Sequence, residues 1–312
     1  MGAAEPPYAS LGHVLFMSRS LVIARVGRTS LHRSWIDSTK RRDWDLYLCP
    51  YEEIASQTDL ECQVGEVIPG PKWTGLTKLL NSWSGWHDYD QIWMPDDDIF
   101  AAQDGITKMF DIGRALDFHL FAPALHEASY FAHFIAMRNT SFFARRVGFV
   151  EIMIPCFRRT TLQELLPTFE LSTTGWGFGL DSAWPKILGY QHLGIIDGVS
   201  VVHTRPVGTF KQPELRNRVM QESDDILAHF GCRQRMVTFA GIGADMCEVN
   251  LTPEALLMQL VRGWQHLFDG CPEALRWLFD QQRCLLSDSS YPTSGLPTSP
   301  ESRAKSGSEG SN

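Results

Sequence analysis

The chain has 312 residues, 44% of them hydrophobic and 21% charged, with a formal net charge of −8. That length supports a full core, as one large domain with an appendage or as two domains. The acidic balance argues against a general nucleic-acid or anionic-membrane surface and leaves room for a local basic pocket.

Leu21-Val22-Ile23-Ala24-Arg25-Val26-Gly27 reads as a first buried strand, and Asp45-Leu46-Tyr47-Leu48-Cys49 as a second. Gly70-Pro71 opens a helix predicted over 72–83, with Trp73, Leu76, Leu79, Leu80 and Trp83 at helical spacing. A short apolar strand, Gln91-Ile92-Trp93-Met94, then runs into Asp96-Asp97-Asp98. A helix over 105–118 carries Ile106, Met109, Phe110, Ile112 and Leu116. Strands are predicted at 119–125 and 149–154, and Thr161 with Glu164 has capping-box spacing before a helix ending near Pro167. A late strand over 195–204 ends at His203-Thr204-Arg205-Pro206. Strands alternating with helices predict an α/β architecture, a mixed sheet flanked by helices.

Beyond Thr209 the pattern turns helical, over 213–230, 252–268 and 272–286, with Thr252-Pro253 as an N-cap followed by proline. The expected division is a main domain over 11–210, a helical C-terminal region over 211–286 and a disordered Ser/Pro/Gly-rich tail over 287–312. No internal repeat is visible. Seven dispersed cysteines without a CxxC pair argue against structural zinc and for reduced thiols in a cytoplasm-like compartment. The first ten residues lack the pattern of a secretory signal, and no apolar run approaches the ~18 residues of a membrane span. Asn139-Thr140-Ser141 matches a glycosylation acceptor, a chance match in a cytoplasmic chain. Ten tryptophans and eighteen phenylalanines fit a packed core and equally a sugar-binding cleft.

Four segments carry candidate chemistry. Three adjacent carboxylates at a strand end repel one another unless a cation compensates, and side-chain alternation lets Asp96 and Asp98 point the same way. Hard oxygen ligands on one face suit Mg²⁺ or Mn²⁺; the bland alternative is an acidic turn. In Thr174-Gly175-Trp176-Gly177-Phe178-Gly179-Leu180-Asp181, alternate glycines permit close backbone approach to a ligand. Asp181 there is either an N-cap or a general base in a pocket walled by Trp176, Gly177 and Gly179. His203, at a strand end, is either a structural residue or a metal ligand beside Asp98, and Arg205 suits a phosphate. Arg25 can reach a nucleotide or solvent; Lys72 and Lys78 are phosphate contacts or simply exposed helix lysines. Glu151, an acid among apolar residues, needs a partner and is a further candidate.

Together these segments resemble the GT-A class of glycosyltransferase. The Trp176–Asp181 stretch is similar to the Trp-Gly-x-Gly-acid-Asp segment of inverting galactosyltransferases, departing in having Leu180 where that pattern often carries Glu. More closely, LVIARVG, GPKWTGL, YDQIWMPDDDI, FVEIMIP, GWGFGLDSAW and VVHTRPVG resemble an uncharacterised family with many plant members, known as related to a lysine-ketoglutarate reductase trans-splicing product, itself placed with the GT-A fold. The resemblance runs from about Leu21 to Gly208.

It implies a GT-A-like domain and a metal-dependent glycosyltransferase with a nucleotide-sugar donor and a glycan or small-molecule acceptor. Asp96, Asp98 and His203 would hold Mn²⁺ or Mg²⁺ on the donor diphosphate, and Asp97 would touch ribose or sugar or brace the turn. Arg25, Lys72 and Arg205 would contact the nucleotide. Trp176, Gly177, Gly179 and Glu151 would face substrate, and Asp181 would deprotonate the acceptor, which favours inversion. Two rivals stand: a non-catalytic sugar- or protein-binding module of this fold, and a metal-dependent phosphohydrolase. The second is disfavoured because its Asp-x-Asp follows a first strand. Gly241-Ile242-Gly243 lacks the third glycine of a dinucleotide fingerprint.

Overall fold

The computed structural model describes residues 19–208, 210, 212–268 and 272–282. The predicted tail at 287–312, the last turn of the predicted helix at 283–286 and the first residues of the main domain at 11–18 lie outside them. The fold is α/β, a mixed sheet flanked by helices.

Its parallel part forms around β1 (Ser20–Val26), whose seven residues are all buried. β1 lies between β2 (Trp44–Pro50) and, on its other side, β4 (Gln91–Trp93), both parallel to it; the short β3 (Gln63–Val64) extends the β2 edge. A strand buried on both faces reads as a continuous apolar run, which is why β1 and β2 are legible in the sequence. β5 (Ile99–Phe100) leaves the acidic triplet, and β6 (Leu120–Leu125), β7 (Ala144–Val147), β8 (Cys156–Arg158) and β9 (Leu193–His203) build the other half. β8 runs antiparallel between β4 and β6, while β9 pairs parallel with β6 and antiparallel with β7. β10 (Thr238–Ile242) closes the far edge against β7.

Helices cover the faces: α1 (Lys72–Ser82), α2 (Gln103–Ala115), α3 (Arg159–Leu165) and α4 (Leu180–Ile187) in the first part, then α5 (Pro213–His229), α6 (Pro253–Gly263), α7 (Gln265–Phe268) and α8 (Pro272–Gln282). α1 turns Trp73, Leu76, Leu79 and Leu80 into the core, as its spacing predicts. Thr252 caps α6 by accepting from the Ala255 N–H. No helix among the described residues is long and apolar enough to cross a membrane.

Four expectations need correction. The apolar run at 149–154 is a buried loop, not a strand: the Met94 and Asp96 N–H groups bond to Pro155 and Met153 carbonyls, and the ladder starts only at Cys156. α3 begins at Arg159, ahead of the predicted capping box, and the chain continues past Pro167 as a 3₁₀ turn. The helical pattern over 252–268 breaks at Trp264, whose indole is fully buried and donates to the Met137 carbonyl. Region 211–286 also contributes β10 to the main sheet, so it is not helical throughout. Its helices bury a second cluster (Phe134, Phe142, Leu256, Leu260, Trp264, Phe268 and Leu278) against the edge of the main domain. Asn139 of the glycosylation match is fully buried and bonded to the Leu260 carbonyl, so it is not an accessible acceptor.

Candidate active site

A cleft of ≈ 980 Å³ opens beyond the carboxyl ends of β1 and β4, where ligands bind in open α/β sheets. The acidic triplet forms its floor because the chain turns sharply there. β5 pairs antiparallel with the end of β9, with Ile99 opposite His203, and the Thr204 N–H and hydroxyl both donate to the Asp98 carbonyl. A strand end and a turn 106 residues apart in sequence are thereby fixed against each other.

His203 Nε2 lies 3.1 Å from Asp98 Oδ2, and its Nδ1 lies 2.8 Å from the Tyr130 carbonyl. A carbonyl only accepts, so Nδ1 carries a proton and Nε2 faces the carboxylate. Burial works against the charged ring, but Asp98 and the Tyr130 carbonyl outweigh it and raise the pKa of His203. Asp98 Oδ1 is buried without a hydrogen-bond partner. One ligand atom from each of Asp96, Asp98 and His203 falls within 4.8 Å of the others. Two carboxylates, one of them with an orphaned oxygen, and an imidazole form a donor set that suits Mn²⁺ or Mg²⁺.

The three aspartates do different things. Asp96 Oδ1 pairs with Lys72 Nζ at 2.6 Å, and that ammonium also donates to the Ile152 and Met153 carbonyls. Burial lowers the Lys72 pKa and raises that of Asp96, each against the attraction of its partner. Lys72 is thus no exposed helix lysine, whereas Lys78 is. Asp97 points the other way: it accepts from the Tyr51 hydroxyl at 2.9 Å and pairs with Arg205 at 3.2 Å. Arg205 also donates to Thr29, so it ties the triplet to the loop after β1 and does not line the cleft. Arg25 reaches the cleft wall, but its guanidinium donates to the Cys49, Pro50, Ile68 and Gly70 carbonyls. Gly75 leaves room for it; a Cβ there would lie 2.2 Å from the Arg25 Cζ.

The glycine-rich loop forms the facing wall. Gly177 and Gly179 have φ of +79° and +92°, a conformation that favours glycine. Trp176, Phe178 and Gly179 line the cleft, while Gly177 packs on Trp73, where a Cβ would meet the indole at 2.2 Å. Glu222 of α5 holds the loop, accepting from the Thr173 and Thr174 hydroxyls, the Ser172 hydroxyl and the Thr174 N–H.

Asp181 is not the N-cap of α4. Gly179 occupies that position, and Asp181 sits in the first turn, buried, bonded to its neighbour Ser182. Burial and then Glu151 push its pKa up to about 7; burial and Asp96 push Glu151 to about 7 as well. His133 completes this second group, with Nε2 3.7 Å from Glu151 Oε2, and burial lowers its pKa. His133 escaped the sequence reading because Tyr130-Phe131-Ala132-His133-Phe134 carries no period and no spacing to a second ligand. A third grouping, Asp117, His119 and His192, lies on the surface, where Arg158 already bonds both Asp117 and His119.

No protein-family model matches the chain, and no curated protein matches it. Among solved structures it is similar to S. aureus TarS in complex with UDP, at 11% identity over 81% of this chain and 72% of that chain, with a TM-score of 0.43. It is also similar to the same S. aureus protein in complex with UDP-GlcNAc, at 8% identity over 88% of this chain and 82% of that chain, with a TM-score of 0.46.

Proposed function

We propose that the chain is a metal-dependent glycosyltransferase of the GT-A kind, moving a sugar from a nucleotide-sugar donor to a hydroxyl of a glycan or small-molecule acceptor. One juxtaposition carries the reading: the Asp96–Asp98–His203 group and the buried carboxylate of Asp181 open into the same cleft. Asp96, Asp98 and His203 would hold Mn²⁺ or Mg²⁺, which when bound would neutralise charge on the leaving diphosphate. Lys72 stays on Asp96 and limits the repulsion within the triplet. Trp176 and Phe178 offer apolar faces to a sugar or base. Asp181 takes the acceptor proton, and a carboxyl group with a pKa near 7 is well matched to that work at neutral pH. A base for the acceptor, separate from the group that holds the diphosphate, favours direct displacement with inversion. The free thiols among the described residues fit a reducing, cytoplasm-like compartment.

The rival reading is a cleft of the same shape that binds without turnover. It is favoured by Lys72 and Arg205, which already compensate Asp96 and Asp97 without any added cation. A thermal-shift screen of UDP, GDP, CDP and their common sugars, with and without Mn²⁺, tests the donor site. A metal-dependent rise for one nucleotide supports the transferase; silence across all donors from folded protein removes it. Metal-stimulated release of the nucleotide from its sugar then separates catalysis from binding. Asp98→Asn should abolish the metal-dependent shift and lower the melting temperature of the free protein only modestly, because Asp98 Oδ1 has no partner to lose and only the charged contact of Oδ2 with His203 is weakened. An unchanged nucleotide shift in that variant would remove Asp98 as a ligand.

A further inference from the structure

We propose that His133, Glu151 and Asp181 form a second divalent-cation site, separate from Asp96, Asp98 and His203 and at the acceptor side of the same cleft. The three side chains come from different parts of the fold. His133 is on the loop after β6, Glu151 on the buried loop between β7 and β8, and Asp181 on the first turn of α4. One ligand atom from each lies within 4.8 Å of the other two.

The group is buried and short of partners. Glu151 and Asp181 are 5% and 4% exposed, and Glu151 Oε2 has no hydrogen-bond partner. That oxygen faces His133 Nε2 at 3.7 Å. The separation is too long for a hydrogen bond. It is close to the spacing of roughly 3–4 Å between ligands that each sit about 2.0–2.2 Å from one ion. The imidazole of His133 makes no hydrogen bond to a described residue, so a ring nitrogen is free to ligate.

Charge points the same way. Among its described residues the cleft is lined by six carboxylates (Asp96, Asp97, Asp98, Glu151, Asp181 and Asp224) against two strong bases, Arg25 and Lys72. Both bases are engaged. Arg25 donates to backbone carbonyls, and Lys72 uses three donors on Asp96, Ile152 and Met153. Neither bonds to Glu151 or Asp181. Two adjacent buried carboxyl groups then need a shared proton or a cation. Two carboxylates with one imidazole suit Mn²⁺, and Zn²⁺ as well. A cation here would lower the pKa of a hydroxyl bound beside it; with the ion bound, Asp181 would serve as its ligand, and without it Asp181 is free to take the acceptor proton directly.

The site needs only these three side chains and stands apart from the donor reading. The test counts Mn²⁺ bound per chain by electron paramagnetic resonance and locates it by anomalous diffraction from crystals soaked in Mn²⁺ alone. Two ions per chain are expected. His133→Ala and Glu151→Gln should each leave one ion, and Asp98→Asn should leave the other. Loss in both His133→Ala and Asp98→Asn of a single shared ion would overturn the proposal, as would one ion per chain that persists in His133→Ala. If the variants fail to fold, the wild-type map decides: a peak among His133, Glu151 and Asp181 supports the site, and a peak beside Asp98 and His203 alone overturns it. An ion at His133 with none at Asp98 would leave this proposal standing and remove the proposed donor metal.

Discussion

Asp181 and Glu151 each place a carboxyl group where burial, and then a neighbouring carboxylate, raises the pKa to about 7. The pair titrates as a unit. In the unfolded chain these groups ionise near pH 4. Between there and about pH 7 only the folded chain holds the protons, so their contribution to stability is full at acid pH and is lost as pH rises through about 7. In metal-free protein the melting temperature should therefore fall between pH 5 and pH 8, and Asp181→Asn should fall less. An unaltered pH profile in Asp181→Asn would show that the carboxyl group is not held protonated. With donor and acceptor present, the same variant should keep donor affinity and lose transfer by about 10²–10⁴-fold. Single-turnover measurement with bound donor separates these two effects; wild-type turnover would remove Asp181 as the base.

Element by element, the glycine-rich loop is positioned by α5, which lies outside it. Glu222 takes four hydrogen bonds from Ser172, Thr173 and Thr174, and Gly179 packs against the α5 backbone at Ser223. Truncating Glu222 leaves several donors without an acceptor. Glu222→Ala should cost roughly 2–4 kcal/mol in a denaturant titration. It should also weaken donor or acceptor binding, because Trp176 and Phe178 lose their backing. A variant as stable as wild type with unchanged binding would mean that the loop holds its shape without α5. The triplet shows the same dependence on a distant element: Asp98 meets His203 only because β5 pairs with the end of β9.

Across the molecule, the sheet and the C-terminal helices are joined at a buried ion pair. Arg145 on β7 and Asp197 on β9 are both fully buried, with Arg145 Nε 2.8 Å from Asp197 Oδ2. The guanidinium also lies over the Trp264 ring at 4.9 Å, and the other Asp197 oxygen accepts from the Asn139 N–H. Removing one partner strands a charge in the core. Asp197→Ala should cost about 3–5 kcal/mol, and replacing both partners by apolar residues of similar size should recover most of it. Chemical denaturation of the single and double variants checks this; a single variant near wild-type stability would place the joint elsewhere.

The sequence determined the α/β class, β1, β2, α1 and β9, and the acidic triplet at a strand end. Each is a local pattern: apolar runs for strands buried on both faces, helical spacing for α1, and three consecutive carboxylates straight after an apolar run. His203 stood out as a polar residue at the end of an apolar segment, and Asp181 as the carboxylate that follows the glycine-rich loop. The sequence did not show that 149–155 is a loop, because buried strand and buried loop have the same apolar composition. Only tertiary hydrogen bonds to Lys72, Met94 and Asp96 distinguish them. Tertiary structure alone also placed His133 against Glu151 and Asp181, turned Arg25 towards backbone carbonyls and sent Arg205 to Asp97. These contacts join residues tens to more than a hundred positions apart, and nothing in local periodicity encodes which distant side chain a buried charge will meet.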